Sequence, residues 1–472
     1  MITSASRALL VAALFVSCAH ADIYQWEYAD PASGSRIRQE SSTTCPDGAG
    51  RDALPDADLS NLDLSMAWLP NKDLTGVNFQ NTNLSTAYLL ESILTNTNFT
   101  GANLTTVVIL GDYYDSLTFS NSNLTESTIR IDGDTYHNHS YHNLSFENAN
   151  LTDAALFLYD SWLEGRLNLD NAILTNALLN SEFYSASIMN ADLTDAWLFG
   201  EYIDARFDNS TLRGAHIRSN ITGAHFTNAD LTNTDFRESG ITQQQIDQAA
   251  AAEGLINNEG YVRQFNLGSG DSRLIDAPSS DDEAPVTVVE GMNLASDSHL
   301  QLKAVMHWFR EPLITFASPD TPVSLGGTLE IEIVSLDDID FLFWDNTTIQ
   351  FFDWNNADVT GWFDEIIINT PIGTFDTTSL ATDGTATFNL SNIIPGDANL
   401  DNTVDLLDLA ILADSFNTSD DAYWWTGDFN EDLAVDLLDL SILAANFGTT
   451  NVPAPATLTI SALALMITAR RN

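Results

Sequence analysis

Basic residues are scarce in this chain. Its 472 residues contain 17 Lys and Arg against 66 Asp and Glu, a formal net charge of −49. A polyanion of that size repels phosphates, which excludes nucleic acid as an ordinary partner. Two readings of the acidity remain, a solvated surface outside the cell or a mimic of DNA itself. Cysteine is nearly absent too: Cys18 and Cys45 are the only two, so no disulfide framework supports the fold. There is no Gly-rich phosphate loop and no nucleophile elbow or zinc-protease helix motif, and no catalytic carboxylate pair can be singled out among 66 acids. The apolar share of 44% is nonetheless enough for packed cores, and the length allows roughly two to four domains.

The two ends read as targeting segments. Residues 1–21 have the order of a secretory signal: Arg7, an apolar stretch at 8–16, then Ala19, His20 and Ala21 as the cleavage triplet. Cleavage there would remove Cys18 and start the mature chain near Asp22; Phe15 to Cys18 as a degenerate lipobox is the alternative. At the other end, Pro453, Pro455, Ala456, Thr457 and Leu458 precede an apolar run at 459–469 and then Arg470 and Arg471. Counted from Thr457, about 13 residues make roughly 20 Å of helix, short for a bilayer core of about 30 Å, and the arginines supply a positive-inside stop. Segment 452–472 resembles the PEP-CTERM sorting signal of Gram-negative bacteria, with Ala454 where that family has its Glu. The resemblance implies processing by an exosortase, delivery to the surface or exterior, and transient membrane anchoring through this segment.

Between these ends, after an N-terminal segment at 22–56, the sequence repeats every five residues: ADLSN (57–61), KDLTG (72–76), VNFQN (77–81), TNLST (82–86), TNFTG (97–101). Positions 59, 64, 69, 74, 79, 84, 89, 94, 99, 104 and 109 are all Leu, Phe or Ile. Neither a helix nor a flat strand has this period. A square coil does, with four five-residue sides per turn, the central apolar residue inward and turns about 4.8 Å apart. The pattern resembles the pentapeptide-repeat family, which implies a right-handed quadrilateral β-helix over 57–241. Late members are ADLTD (191–195), ADLTN (229–233) and TDFRE (234–238). Lys72 and Leu62 stand where a small inward residue is expected, and the phase shifts between Ile129 and Phe146 and near 161–170, which reads as protruding loops. The stretch 242–259 reads as a capping helix and linker that covers the open sheet edge. Residues twenty apart share a face, so Trp68, Tyr88 and Val108 are expected as an outward apolar ladder, either a binding stripe or, the favoured reading, a self-stacked rib. His137, His139 and His142 could ligate zinc, although a hydrated loop is the commoner explanation.

Residues 260–395 carry β-branched and aromatic runs, with alternation at Leu329, Ile331 and Ile333 that marks a half-buried strand. Asp281, Asp282 and Glu283 read as a linker. A small β-sandwich and an end portion of a β-helix are both compatible with this composition. Trp308, Trp344, Trp354 and Trp362 either stack on sugars or, more commonly, form the core.

The most specific signal lies at 396–448. Asp397, Asn399, Asp401, Thr403, Asp405 and Asp408 stand at loop positions 1, 3, 5, 7, 9 and 12, and Asp428, Asn430, Asp432, Ala434, Asp436 and Asp439 repeat them. Thr403 and Ala434 would contribute their carbonyls. Calcium takes roughly six to eight oxygens at about 2.3–2.6 Å, and this spacing wraps them round one ion. Each loop runs into a predicted helix, 406–416 and 437–447, and Val404 and Val435 are expected to pair with each other. The duplication resembles a type I dockerin. In that family the tenth and eleventh loop positions choose the cohesin partner; here they are Leu406, Leu407, Leu437 and Leu438. Loop position 6 is Asn402 in one copy and Leu433 in the other, and the left-handed backbone expected there suits Asn far better than Leu.

The expected molecule is mainly β, with a small helical calcium module. The leading functional reading is an exported, non-enzymatic protein that displays a repeat scaffold at the cell surface or in extracellular matrix, with calcium as its cofactor. The alternatives are a polysaccharide-associated protein docking onto a cohesin, and an acidic DNA mimic that inhibits a topoisomerase; the secretory signal argues against the last.

Overall fold

A computed structural model describes residues 22–29, 37–111, 116–132, 143–159, 166–276, 284–305, 312–334, 346–370, 373–389, 394–399, 403–419, 422–430 and 432–450. The two targeting segments, the His137 to His142 cluster and the linker acids at 281–283 lie outside them. The fold is mainly β. Contacts divide it into two compact units, Met1–Asn168 and Leu169–Asn472.

In the first unit the chain winds as a β-helix-like coil. Parallel bridges join Asp58 to Asn78, Asp63 to Asn83, Trp68 to Tyr88 and Asp73 to Ile93, so four bridging positions, one on each five-residue side, make up a turn. Every apolar centre from Leu59 to Ile109 is at most 2% exposed. The corners need a left-handed residue, and Asn61, Asn71, Asn81, Asn96 and Asn121 supply it at φ between 55° and 60°; Asn and Asp visit that region at least cost after Gly. Identical neighbours stack from turn to turn. Phe79, Phe99, Phe119 and Phe146 form an inner column with centroids 5.1, 5.0 and 4.8 Å apart. Asn98 donates to Asn78 at 3.1 Å and Asn103 to Asn83 at 3.0 Å on the outside. The phase breaks are insertions, as expected. Where the regular coil would pair Thr128 with the residue at 148, strand Thr128–Asp132 pairs instead with Ala155–Tyr159, beginning at Ala155. Strand Asn143–Ser145 likewise skips ahead, to Arg166–Asn168.

The start of this coil is covered. Strands Tyr24–Tyr28 and Arg38–Thr44 form an antiparallel hairpin, and Trp26 N donates to Met66 O at 3.0 Å while Trp68 N donates to Tyr24 O at 2.9 Å. The expected Trp68, Tyr88 and Val108 ladder is therefore half-buried and not open. Trp68 stacks on Tyr88 at 5.3 Å, and the Arg38 guanidinium lies 4.8 Å from the ring centroids of both Trp26 and Tyr88. The free thiol, Cys45, is 1% exposed; burial, then the charge of Asp63, pushes it up to about 12, which leaves it unreactive.

Within the second unit the coil is tighter. Strands Leu178–Glu182, Trp197–Glu201 and His216–Asn220 stack with Leu178 opposite Trp197 and Trp197 opposite His216, so each turn is one residue shorter than expected. The inward positions 169, 174, 179, 183 and 188 show why: one side has lost a residue, and Phe183, Tyr202 and Ile221 fill it at 0% exposure. The expected capping helix is a single turn, Gln243–Ile246. Beyond it the chain pairs again, Ala251 with Asp230 and Ile256 with Asp235, so this segment continues the coil. Gln245 makes that passage through its side-chain amide, which donates to Ile221 O and Ala224 O at 2.9 and 3.0 Å.

In residues 260–395 most strands carry the stacking onward in wider turns, beside a small antiparallel sheet of Thr348–Gln350, Thr385–Asn389 and Thr374–Asp376. Strands Ser272–Asp276, His299–Val305, Thr328–Val334 and Glu365–Asn369 are all parallel, with Ser272, His299, Thr328 and Glu365 in line, so the turns lengthen along the stack. Val286–Leu294 pairs in parallel with Tyr261–Leu267, and its two ends pair with Ile314–Phe316 and Pro322–Leu325. Parallel stacking of this kind belongs to a β-helix, since sandwiches are built from antiparallel sheets. Leu329, Ile331 and Ile333 point inward at 0–2% exposure. Trp354 is core, stacked on Phe352 at 4.6 Å with its indole N–H on Leu380 O, and Trp362 packs against it. Trp354 therefore offers no platform for a sugar, Trp362 is half-buried, and Trp308 and Trp344 lie outside the described residues.

Candidate metal centre

The duplicated segment folds as two helices, Leu406–Asp414 and Leu437–Asn446, about a core of Val404, Leu412, Val435 and Leu443, each at most 1% exposed. Each helix begins on a capping box. Asp405 accepts from Leu407 N at 2.7 Å and Asp436 from Leu438 N at 2.6 Å. Asp408 and Asp439 reach back to Asp405 N at 2.7 Å and Asp436 N at 2.9 Å. The carboxylates at loop positions 9 and 12 thus also hold the helix start, a signal present in the Asp-x-x-Asp spacing but not used in the sequence reading.

Val404 and Val435 do not pair with each other. Val404 N donates to Thr449 O at 3.0 Å and Gly448 N to Val404 O at 2.8 Å, beside a bridge between Thr403 and Thr450. Val435 does the same with the chain leaving the first helix, through Thr418 O at 3.0 Å and Asn417 N at 2.8 Å. The left-handed residues Asn417 and Gly448, at φ 71° and 81°, turn the chain at each helix end back alongside the opposite loop. Gly396 and Gly427 complete the symmetry. Their φ values are 103° and 101°, and a Cβ at either would stand 2.8 Å from the Cα of Leu443 or Leu412 on the opposite helix.

Asp397, Asp408, Asp428 and Asp439 are at most 2% exposed. Asn399, Thr403, Asp405, Ala434 and Asp436 are half-buried, Asn430 and Asp432 are exposed, and Asp401 lies outside the described residues. Asp408 Oδ1 accepts from Ala398 N at 2.8 Å and Asn399 N at 3.3 Å, and Asp439 Oδ1 from Phe429 N at 2.9 Å and Asn430 N at 3.3 Å. In the second loop, Asp428 accepts from Asp432 N at 3.2 Å and Leu433 N at 2.8 Å, and Asn430 Oδ1 from Asp432 N at 3.0 Å. The carboxylates of Asp408, Asp428 and Asp439 are thereby turned toward their own loops. Leu433 is left-handed at φ 68°.

Buried carboxylates require a counter-charge. From residue 311 to residue 469 the sequence contains no Lys, Arg or His, so the module brings none of its own. The donor set is oxygen throughout, the preference of a hard divalent cation such as calcium, and the residues present fit that ion. Beside the loops, Leu406, Leu407, Leu437 and Leu438 are 70%, 61%, 71% and 59% exposed, although leucines elsewhere in the chain are mostly core.

A second cluster was not anticipated from the sequence. His216, Asp235 and Asp276 bring three ligand-type atoms within 4.8 Å of one another. Asp235 Oδ2 already accepts from Arg237 Nη2 at 2.7 Å and Arg218 Nη2 at 3.0 Å. Asp276 Oδ1 accepts from the same two groups at 3.0 and 3.2 Å. Burial would push the Asp235 carboxyl up, but Arg218 and Arg237 outweigh it and hold it well below the usual carboxylate range. A divalent cation here would face two guanidinium groups, so the cluster is an ion-paired joint between the tightened turns and the wider stack.

The family model described as Pentapeptide repeats matches residues 73–108 and 203–239, in eight copies. The chain thus carries pentapeptide repeats. Among solved structures it is similar to HetL, a pentapeptide repeat protein involved in heterocyst differentiation regulation from the cyanobacterium Nostoc sp. strain PCC 7120. Identity is 19%, over 44% of this chain and 92% of that one, with a TM-score of 0.20. It is also similar to trypsin-treated QnrB1, a plasmid-mediated fluoroquinolone resistance protein, at 15% identity over 43% and 87% of the two chains, TM-score 0.24. No curated protein matches the chain.

Proposed function

We propose that this chain is an exported, non-enzymatic display protein. Its pentapeptide coil, read as a right-handed quadrilateral β-helix, is a rigid spacer, and the module at 396–448 is a calcium-dependent, dockerin-like docking head. The observation that carries this reading is the set of four buried aspartates, Asp397, Asp408, Asp428 and Asp439, repeated at one spacing in a region with no basic side chain. Calcium would neutralise them, and since the loops form round the ion, its binding energy would be folding energy. The exposed leucine pairs at 406–407 and 437–438 are the surface for a cohesin-like partner. A spacer role is supported by the coil's filled interior, whose apolar centres from Leu59 to Ile109 are at most 2% exposed. The terminal segments, read as secretory and PEP-CTERM-like, support a cell-surface or extracellular location with a transient membrane stage.

Calorimetric titration of the full chain with calcium, in about 150 mM salt to screen the polyanion, tests this. Two tight sites are expected, with one lost in Asp408→Ala and both in the Asp408→Ala, Asp439→Ala double variant. Calcium uptake indifferent to these changes would sink the reading.

A further inference from the structure

We propose that Trp424 is a positioning residue for the first calcium loop, held in place by the second loop, so that the two sites bind calcium cooperatively. The proposal rests on the calcium reading of the module. A single peptide group carries it. The indole N–H of Trp424 donates to Asp397 O at 2.7 Å. The N–H of the same peptide, on Ala398, donates to Asp408 Oδ1 at 2.8 Å. One peptide plane thus links Trp424 to the acids at loop positions 1 and 12, Asp397 and Asp408, which are 2% and 0% exposed. Hydrogen bonds in series polarise one another, and a peptide tied at both ends resists the rotation that would turn either acid away from the loop.

Trp424 itself belongs to the turn that opens the second loop. Gly427 N donates to Trp424 O at 2.9 Å and Asp428 N to Tyr423 O at 3.0 Å. The indole meets the Phe429 ring edge to face, with centroids 5.3 Å apart, and Phe429 N donates to Asp439 Oδ1 at 2.9 Å. Asp439 of one site and Asp408 of the other are therefore joined through Phe429, Trp424 and the Asp397–Ala398 peptide, in contact at each step. Ordering of the second loop round its ion fixes Phe429 and the turn at 423–428, and with them the donor that holds the first loop. By linkage the first loop returns the same effect. The duplication does not repeat this device. Trp424 stands four places ahead of Asp428; the residue four places ahead of Asp397 is Ile393, whose side chain has no donor.

Calcium titration of the full chain in about 150 mM salt tests this on the wild type, Asp408→Ala and Asp439→Ala, each with Trp424 kept or with Trp424→Phe. The coupling factor is the product of the two association constants of the two-site chain, divided by the product of the constants that the single-site variants retain. It should exceed one with tryptophan and fall about fivefold with phenylalanine, the worth of one net hydrogen bond, while the single-site constants stay nearly unchanged. An indole that merely packs would weaken the single sites and leave the factor alone. Benzothienylalanine at 424, which keeps the shape of the ring without its N–H, should give the same fall, and it decides the matter if Trp424→Phe does not fold. A wild-type factor of one, or a factor that survives the loss of the N–H, would overturn the proposal and leave two independent calcium sites standing. A wild-type chain that takes up no calcium would overturn both readings.

Discussion

Replacing Leu433 with asparagine should relieve about 1 kcal/mol of backbone strain in the second loop. Leu433 is held at φ 68°, where a non-glycine residue carries a cost of roughly 1–2 kcal/mol. Asparagine recovers about half of that because its short amide bonds locally. Little is lost in exchange, since the leucine side chain is 57% exposed and the backbone N–H that donates to Asp428 Oδ2 at 2.8 Å is retained. Glycine should gain less, because its extra chain entropy offsets about 0.5–1 kcal/mol. If the loop orders only round the ion, the gain is read as about fivefold tighter calcium binding. If the loop is ordered beforehand, the same energy is read as a higher melting temperature in chelator. The assay is calcium titration and thermal melting of the full chain on the Leu, Asn and Gly versions. An asparagine version that moves neither quantity, or a leucine version that binds most tightly, would refute the reasoning. The reciprocal Asn402→Leu, placed by sequence equivalence, should move the first site the opposite way.

Three further outcomes follow from the packing. Gly427→Ala should lower stability by about 2–3 kcal/mol, read as a lower melting temperature of the calcium-loaded chain, because its Cβ would meet the Leu412 backbone. Phe99→Ala, in the middle of the aromatic column at 0% exposure, should cost about 3–5 kcal/mol, checked by denaturant unfolding. Asp235→Asn should cost about 3–5 kcal/mol, because it leaves two buried guanidinium groups, Arg218 and Arg237, sharing Asp276 as their carboxylate partner. Because Asp235 and Asp276 are depressed when folded, their contribution is complete above the ordinary carboxylate value of about 4 and is lost as pH falls through the lower folded values. An acid titration of unfolding should therefore lose part of its low-pH limb in Asp235→Asn.

The coil was legible because the repeats state the same local rule many times: an apolar centre and, two places on, a left-handed corner that is most often Asn, Asp or Gly, so that exceptions such as Met66, Thr86 and Glu91 are carried by their neighbours. The shortening of the later turns was not, because the trimmed side still carries the expected apolar residue, and it is the registers of Leu178 with Trp197 and of Trp197 with His216 that display the deletion. The loop-and-helix order of the module was legible for the same reason as the coil, through duplication. The partner of Val404 was not, since which strand passes beside it depends on how two helices fold back in space. Nor could spacing reveal the joint of Arg218, Arg237, Asp235 and Asp276, whose members are brought together by turns of different length.

The exchange of strands between the two halves of the module has a consequence for how it can be cut and moved. Each half is closed by the backbone of the other, so neither makes a finished object by itself, and a protease nick in the connector near 420 would leave two interlocked pieces and not two free ones. The chain also leaves the module at Thr450 beside Thr403, in the first loop that follows its entrance. A segment whose ends are adjacent can be spliced into a surface turn of another protein, or reopened at its connector with its old ends joined, without disturbing its interior.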